Sequence, residues 1–197
     1  MRTFRRIAVL PLIAVALVSG APHASAAANN AAVAINTKDD TFVSREAFKI
    51  TRVSGDTVDE SNGAAAVSSC ERCRTAAIAF QIVIATGTAS NVTSDNLAIA
   101  LNQECLSCAT YAGAFQLIVT PHTQMRFTEA GNEQIDRIRG ELHLLVDSAT
   151  FGPTFEEIDA FNAEVDALFE ELKAVVASEL VVAGGGNLIE NVDVETV

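Results

Sequence analysis

The chain has 197 residues, of which 49% are hydrophobic, 19% charged and 6% aromatic. That length and apolar share suffice for one packed domain with tails and exclude global disorder. Thirteen basic residues stand against 25 acidic ones, a formal net charge of −12. Duplex nucleic acid and anionic membrane surfaces are poor partners for such a chain, because each phosphate contact needs a cation.

The N-terminal segment, MRTFRRIAVLPLIAVALVSGAPHASA, places Arg2, Arg5 and Arg6 ahead of the apolar run from Ile7 to Val18. Ala24-Ser25-Ala26 then supplies the small side chains that a signal peptidase accepts, so residues 1–26 read as a secretory signal peptide. Its removal leaves 10 basic against 25 acidic residues, or −15. The apolar run is short for the roughly 30 Å of hydrocarbon in a bilayer, and no later stretch reaches the roughly 18 apolar residues of a spanning helix. The expectation is an acidic protein secreted to the extracellular space, with no membrane span after signal removal.

Residues 27–125 carry an internal repeat. CERCRTAAIAFQ from Cys70 and CLSCATYAGAFQ from Cys105 are identical at seven of twelve positions, at an offset of 35. Val58, Asn62, Ala64 and Ala66 keep the mutual spacing of Val92, Asn96, Ala98 and Ala100, and AFKI reaches Gly55 as AFQI reaches Gly87. A unit used about two and a half times suggests repeated supersecondary structure. Inside each unit the period is two. Ala76, Ile78, Phe80, Ile82 and Ile84 share a bulky face, and Thr75, Ala77, Ala79, Gln81 and Val83 share a small one. Alternation with β-branched and aromatic enrichment predicts strands, at about 31–37, 42–53, 63–69, 74–86, 96–104 and 109–120. Read as a meander they form one antiparallel sheet, whose small-residue face is a candidate docking face for helices.

From Thr128 the period becomes helical, with Ile135, Ile138, Leu142 and Leu145 stepping by 3, 4, 3. Thr154 and Glu157 form a capping box, followed by Ile158, Phe161, Val165, Leu168, Leu172 and Val175. Residues 126–181 thus read as a helical hairpin packing on the sheet, and 182–197, with Gly184-Gly185-Gly186, as a flexible acidic tail. The expected fold class is α+β: an antiparallel repeat β-sheet of about six strands, covered by a C-terminal two-helix hairpin.

All four cysteines lie in two CxxC pairs, Cys70/Cys73 and Cys105/Cys108. Three chemistries compete for them. Export and an even count favour structural disulfides. In a meander the two turns lie two strand spacings apart, roughly 9–10 Å, beyond the roughly 7 Å limit on Cα separation. Bonds within each motif are then favoured, each worth well below the 2–4 kcal/mol typical of longer loops. The alternative is a zinc site with Cys70, Cys73, Cys105 and Cys108 as ligands, since paired CxxC turns offer four thiolates. Thiol–disulfide exchange is the third, although only the first motif has flanking cations, Arg72 and Arg74.

Other catalytic constellations are missing from the sequence. It has no HExxH, no Gly-x-Ser-x-Gly elbow and no Gly-rich phosphate loop, which leans against an enzyme. His143 sits beside a helical apolar stripe and His122 follows Pro121 in a loop, both read as non-catalytic. Acidic runs such as Asp56 to Glu60 read as solvated faces.

The series NTKDD, AFKI, VDESN, CERCRTAAIAFQIV, CLSCATYAGAFQLIV and RFTEAGNEQI resembles a group of exported actinobacterial proteins with the same doubled CxxC and "AFQ" strands. The resemblance spans roughly Val33 to Leu180. Some members are labelled peptide zinc metalloprotease proteins, yet no catalytic motif here matches that label. The combined expectation is an exported, non-catalytic binding or structural domain held by CxxC disulfides, with no cofactor and with a protein or envelope partner. The alternative is a zinc-binding, peptidase-related or accessory domain.

Overall fold

The computed structural model describes residues 30–87, 91–121, 123–148, 151–184 and 194–196, so the signal-peptide segment and His122 lie outside the described residues. Six long strands carry the repeat: β1 (Asn30–Asn36), β2 (Phe42–Ser54), β3 (Thr57–Ser68), β4 (Arg74–Thr86), β5 (Asn91–Asn102) and β6 (Ala109–Val119). They do not form one antiparallel sheet. Two three-stranded parallel sheets are present instead, β1-β3-β5 and β2-β4-β6. Successive strands alternate between the sheets, so each repeat is one coil of a flattened solenoid and like residues stack on like.

The register accounts for the repeat. Phe48, Phe80 and Phe115 are in line, as are Ala32, Ala64 and Ala98. Inward-facing amides form ladders along the stack: Asn30 Nδ2 donates to Asn62 Oδ1 (2.8 Å), and Asn62 Nδ2 to Asn96 Oδ1 (2.9 Å). Gln116 Nε2 donates to Gln81 Oε1 (2.9 Å), and Gln81 Nε2 to Glu60 Oε2 (3.0 Å). Glu60, expected in a solvated acidic run, is 3% exposed. Its burial is tolerable because a buried polar group costs little once it is hydrogen-bonded. This inward Glu60 and the buried Val58 also show why β3 starts at Thr57, well before the expected residue 63: the segment keeps the alternation, with polar side chains facing out.

The small-residue face is where the two sheets meet. Ala77 and Ala79 pack on Ala32, Ala34, Ala64 and Ala66, since methyl-sized side chains allow close approach of the layers. The bulky face, not the small one, receives the helices. Ile78, Phe80, Ile82 and Ile84 pack with Ile135, Ile138, Leu142, Phe169 and Leu172, and the Phe80 ring lies 5.3 Å from that of Phe169. Helices α1 (Glu129–Asp147) and α2 (Phe155–Glu179) carry these residues. Thr128 caps α1 by accepting from the Gly131 amide (2.9 Å), and Thr154 with Glu157 makes the capping box of α2. Gly131 has a packing role: a Cβ there would lie 2.6 Å from Glu179 Cβ.

The ends of the helical hairpin are tied by β7 (Met125–Phe127) and β8 (Leu180–Val182), which pair antiparallel. In the segment read as a tail, β9 (Val194–Thr196) pairs antiparallel with Leu117–Val119 of β6. Among the described residues, no helix is long and apolar enough to cross a membrane.

Candidate functional site

At one end of the solenoid, the chain passes from the first sheet to the second through three stacked turns. The strand register aligns Lys38 with Cys70 and Cys105, Asp40 with Arg72 and Ser107, and Thr41 with Cys73 and Cys108. Asp40 (φ 57°), Arg72 (φ 51°) and Ser107 (φ 56°) are all left-handed, so the three bends share one backbone shape. Backbone bonds tie the turns together: Asp40 N donates to Glu71 O (3.0 Å), and Arg72 N to Leu106 O (2.8 Å). The third turn holds one extra residue, Glu104, also at positive φ (49°). That insertion shifts the repeat offset from 34 before the cysteines to 35 after them.

The cysteine turns therefore lie on neighbouring rungs, one strand spacing apart, about 4.8 Å, and not the two spacings a meander requires. Distance alone no longer selects pairing within a motif, because bridges between rungs would also fall inside the permitted Cα range. The structure joins Cys70 to Cys73 and Cys105 to Cys108, with Cα separations of 6.0 and 5.9 Å.

The two bridges touch. Cys73 Sγ lies 3.3 Å from Cys108 Sγ and 3.9 Å from Cys105 Sγ, and all four Sγ atoms fall within 4.8 Å of one another. Bonded sulfurs carry no proton, so these are sulfur contacts and not hydrogen bonds. Main-chain oxygens line the cluster: Asn36 O is 3.2 Å from Cys70 Sγ, and Cys70 O is 2.8 Å from Cys105 Sγ and 3.0 Å from Cys108 Sγ. Cys70 and Cys73 are buried, whereas Cys105 and Cys108 are half-buried on the outermost rung.

Charge beside the cluster is largely spoken for. Arg72 donates from two nitrogens to Asp40 (2.7 and 2.8 Å), and this pair holds the Asp40 carboxyl below its ordinary range. Arg74 stacks over Phe42, 5.6 Å from the ring centroid. Among the described residues, neither cation hydrogen-bonds to a sulfur.

Sequence reasoning missed the cysteine-free first turn. Asn36, 1% exposed, donates from Nδ2 to Thr41 O (3.0 Å) and Arg74 O (3.0 Å), while its Oδ1 accepts from Lys38 N (3.2 Å) and Thr41 Oγ1 (2.9 Å). The signal was present in NTKDDTF, which precedes its strand as CERCR and CLSCA precede theirs. His143 lies away from the cysteines. It bridges α1 to β2, with Nδ1 3.0 Å from Glu46 Oε1, and burial raises the Glu46 pKa.

One further surface stands out. The outward side chains of the β1-β3-β5 sheet align as Ala31/Gly63/Leu97, Val33/Ala65/Ile99 and Ile35/Val67/Leu101. The helices pack on the other sheet, and Val33, Ile35, Leu97 and Leu101 are 37–46% exposed. No family model, curated protein or solved structure matches this chain, so the site's chemistry rests on the geometry of its own residues.

Proposed function

We propose that the chain is an exported, non-catalytic structural or binding module in which the cysteines serve as staples. The supporting observation is the pairing of both CxxC motifs inside turns whose cysteine-free counterpart has the same shape. A residue that performs chemistry needs an environment that activates it, such as a helix N-terminus or a cation on the sulfur. Here the cysteines sit in strand-to-strand turns, Arg72 is engaged by Asp40, and carbonyl oxygens surround the sulfurs. Bonds across such short loops lock a turn against fraying without adding much global stability. The bare aliphatic face of the first sheet is the surface that such a module offers to a protein of the envelope or extracellular space.

Mass spectrometry of the exported product after alkylation tests this reading. Without reductant no cysteine is labelled, and after reduction all four are. Free thiols in freshly exported material overturn the staple reading.

A further inference from the structure

We infer that the same four sulfurs, once reduced, form a tetrahedral site for one thiophilic divalent cation of the zinc class, so that the stacked turns are a redox-gated metal centre. This goes beyond the scaffold reading and does not depend on it. A tetrahedral ion bound by four thiolates at about 2.3 Å needs sulfurs about 3.8 Å apart. The contacts between motifs already bracket that edge, at 3.3 Å for Cys73–Cys108 and 3.9 Å for Cys73–Cys105. The two contacts within motifs must lengthen most, which breaking the two disulfide bonds permits, and the remaining sulfur pairs already lie within 4.8 Å of one another. The Cα atoms of each pair, 6.0 and 5.9 Å apart, leave side-chain rotation to supply the change.

Stacking makes the ligand count four. The first turn carries Lys38 and Thr41 where its neighbours carry cysteine, so the sulfur cluster stops at two rungs. Access comes from the outermost rung, where Cys105 and Cys108 are half-buried. Oxidation and metal binding exclude each other, because a sulfur in a disulfide has lost the negative charge that makes a thiolate a strong ligand.

The chemistry balances with a phosphine as reductant. Two phosphines and two waters convert two disulfides into four thiols and two phosphine oxides. The four thiols then release four protons as they bind one divalent ion, leaving a centre of charge −2. A chain kept in a reducing compartment is in the metal-binding state. In an oxidising one, two small-molecule disulfides re-form the two bridges, take up four protons to become four thiols, and the ion is expelled.

The test uses the full mature chain, reduced with a phosphine under anaerobic conditions and titrated with Co²⁺ as a visible probe, followed by Zn²⁺. The expected result is one Co²⁺ per chain with the intense ligand-field absorption of a tetrahedral thiolate site, bleached by one equivalent of Zn²⁺. The unreduced chain takes up none, and the Cys105→Ser/Cys108→Ser double variant loses the spectrum. Circular dichroism follows folding throughout, and recovery by Zn²⁺ of structure lost on reduction also supports the site. A reduced chain with no stoichiometric absorption, folded or not, overturns the inference, as does equal uptake by the unreduced chain or the double variant. That negative result leaves the stapled scaffold intact, whereas free thiols in exported material defeat the scaffold and leave the metal site standing.

Discussion

The first turn of the stack and the two above it reach one backbone shape by different chemistry. In the first, a buried amide and a hydroxyl close the bend: Asn36 binds Thr41 and Arg74, and Thr41 Oγ1 shares its one proton between Asn36 Oδ1 (2.9 Å) and Lys38 O (2.7 Å). In the second and third, a disulfide spans the positions of Lys38 and Thr41. Since Asp40, Arg72 and Ser107 all adopt the left-handed conformation, sulfur is not what bends the chain. Backbone stacking shapes the turn, and the cysteines add either a lock or a ligand set. The first turn is thus an internal control for the other two.

Breaking the control should cost most. Asn36→Ala removes four hydrogen bonds from a side chain that is 1% exposed, a loss of about 3 kcal/mol. Urea denaturation checks it, and a loss below that of a disulfide variant would mean that sulfur, after all, governs this end of the solenoid. Next comes removal of a bridge. Closing so short a loop is worth at most about 2 kcal/mol in the chain-entropy model, so Cys105→Ala/Cys108→Ala lowers stability by less than Asn36→Ala does. The Cys70→Ala/Cys73→Ala variant costs more than its counterpart, because those residues are 5% and 0% exposed and the loss of their sulfurs leaves a cavity.

The sequence showed the strands and the helices plainly, because periods of 2 and 3.6 are local. Strand direction is not local. TAAIAFQIVI alternates identically whether its neighbour runs parallel or antiparallel, and only the way copies stack can decide. That signal existed: Gln81 and Gln116, or Asn62 and Asn96, recur at equivalent positions in the copies, and a parallel register lines them up as amide ladders. An offset of 35 with two strands in each unit describes a coil, not a hairpin. The cysteines were legible as the site, but their separation was not. It depends on which strand lies next to which, so an antiparallel reading doubled the distance between the turns and hid the four-sulfur contact. Likewise, the docking face was misassigned because small residues suit any close layer. Here that layer is the second sheet, and the helices take the bulky side.

A finer change tests the hydroxyl alone. Thr41→Val keeps the side-chain shape and removes the bonds to Lys38 O and Asn36 Oδ1. The expected loss is about 1 kcal/mol, by urea denaturation, with Asn36 still holding the turn. Thr41→Cys with Lys38→Cys carries the comparison the other way, since it gives the first turn the pattern of its neighbours. Mass spectrometry then finds a third pair closed in oxidised material if the shared backbone shape is what brings the sulfurs together.

The smallest effect belongs to the Arg72–Asp40 pair, which links the first turn to the second across the surface. Arg72's hydrogen bond lowers the Asp40 pKa below 3.8. A depressed carboxyl releases its proton more readily in the folded chain than in the unfolded one. Its contribution is therefore complete above the unfolded value and is lost as pH falls through the folded one. Both groups are exposed, so solvent and salt screen the pair. Asp40→Asn keeps a residue that tolerates the left-handed bend, and it should leave the urea midpoint at pH 7 almost unchanged while flattening the acid limb below pH 4. A shift at neutral pH as large as that of Thr41→Val would show that the ion pair, and not the stacked backbone, aligns the first turn with the cysteine turns.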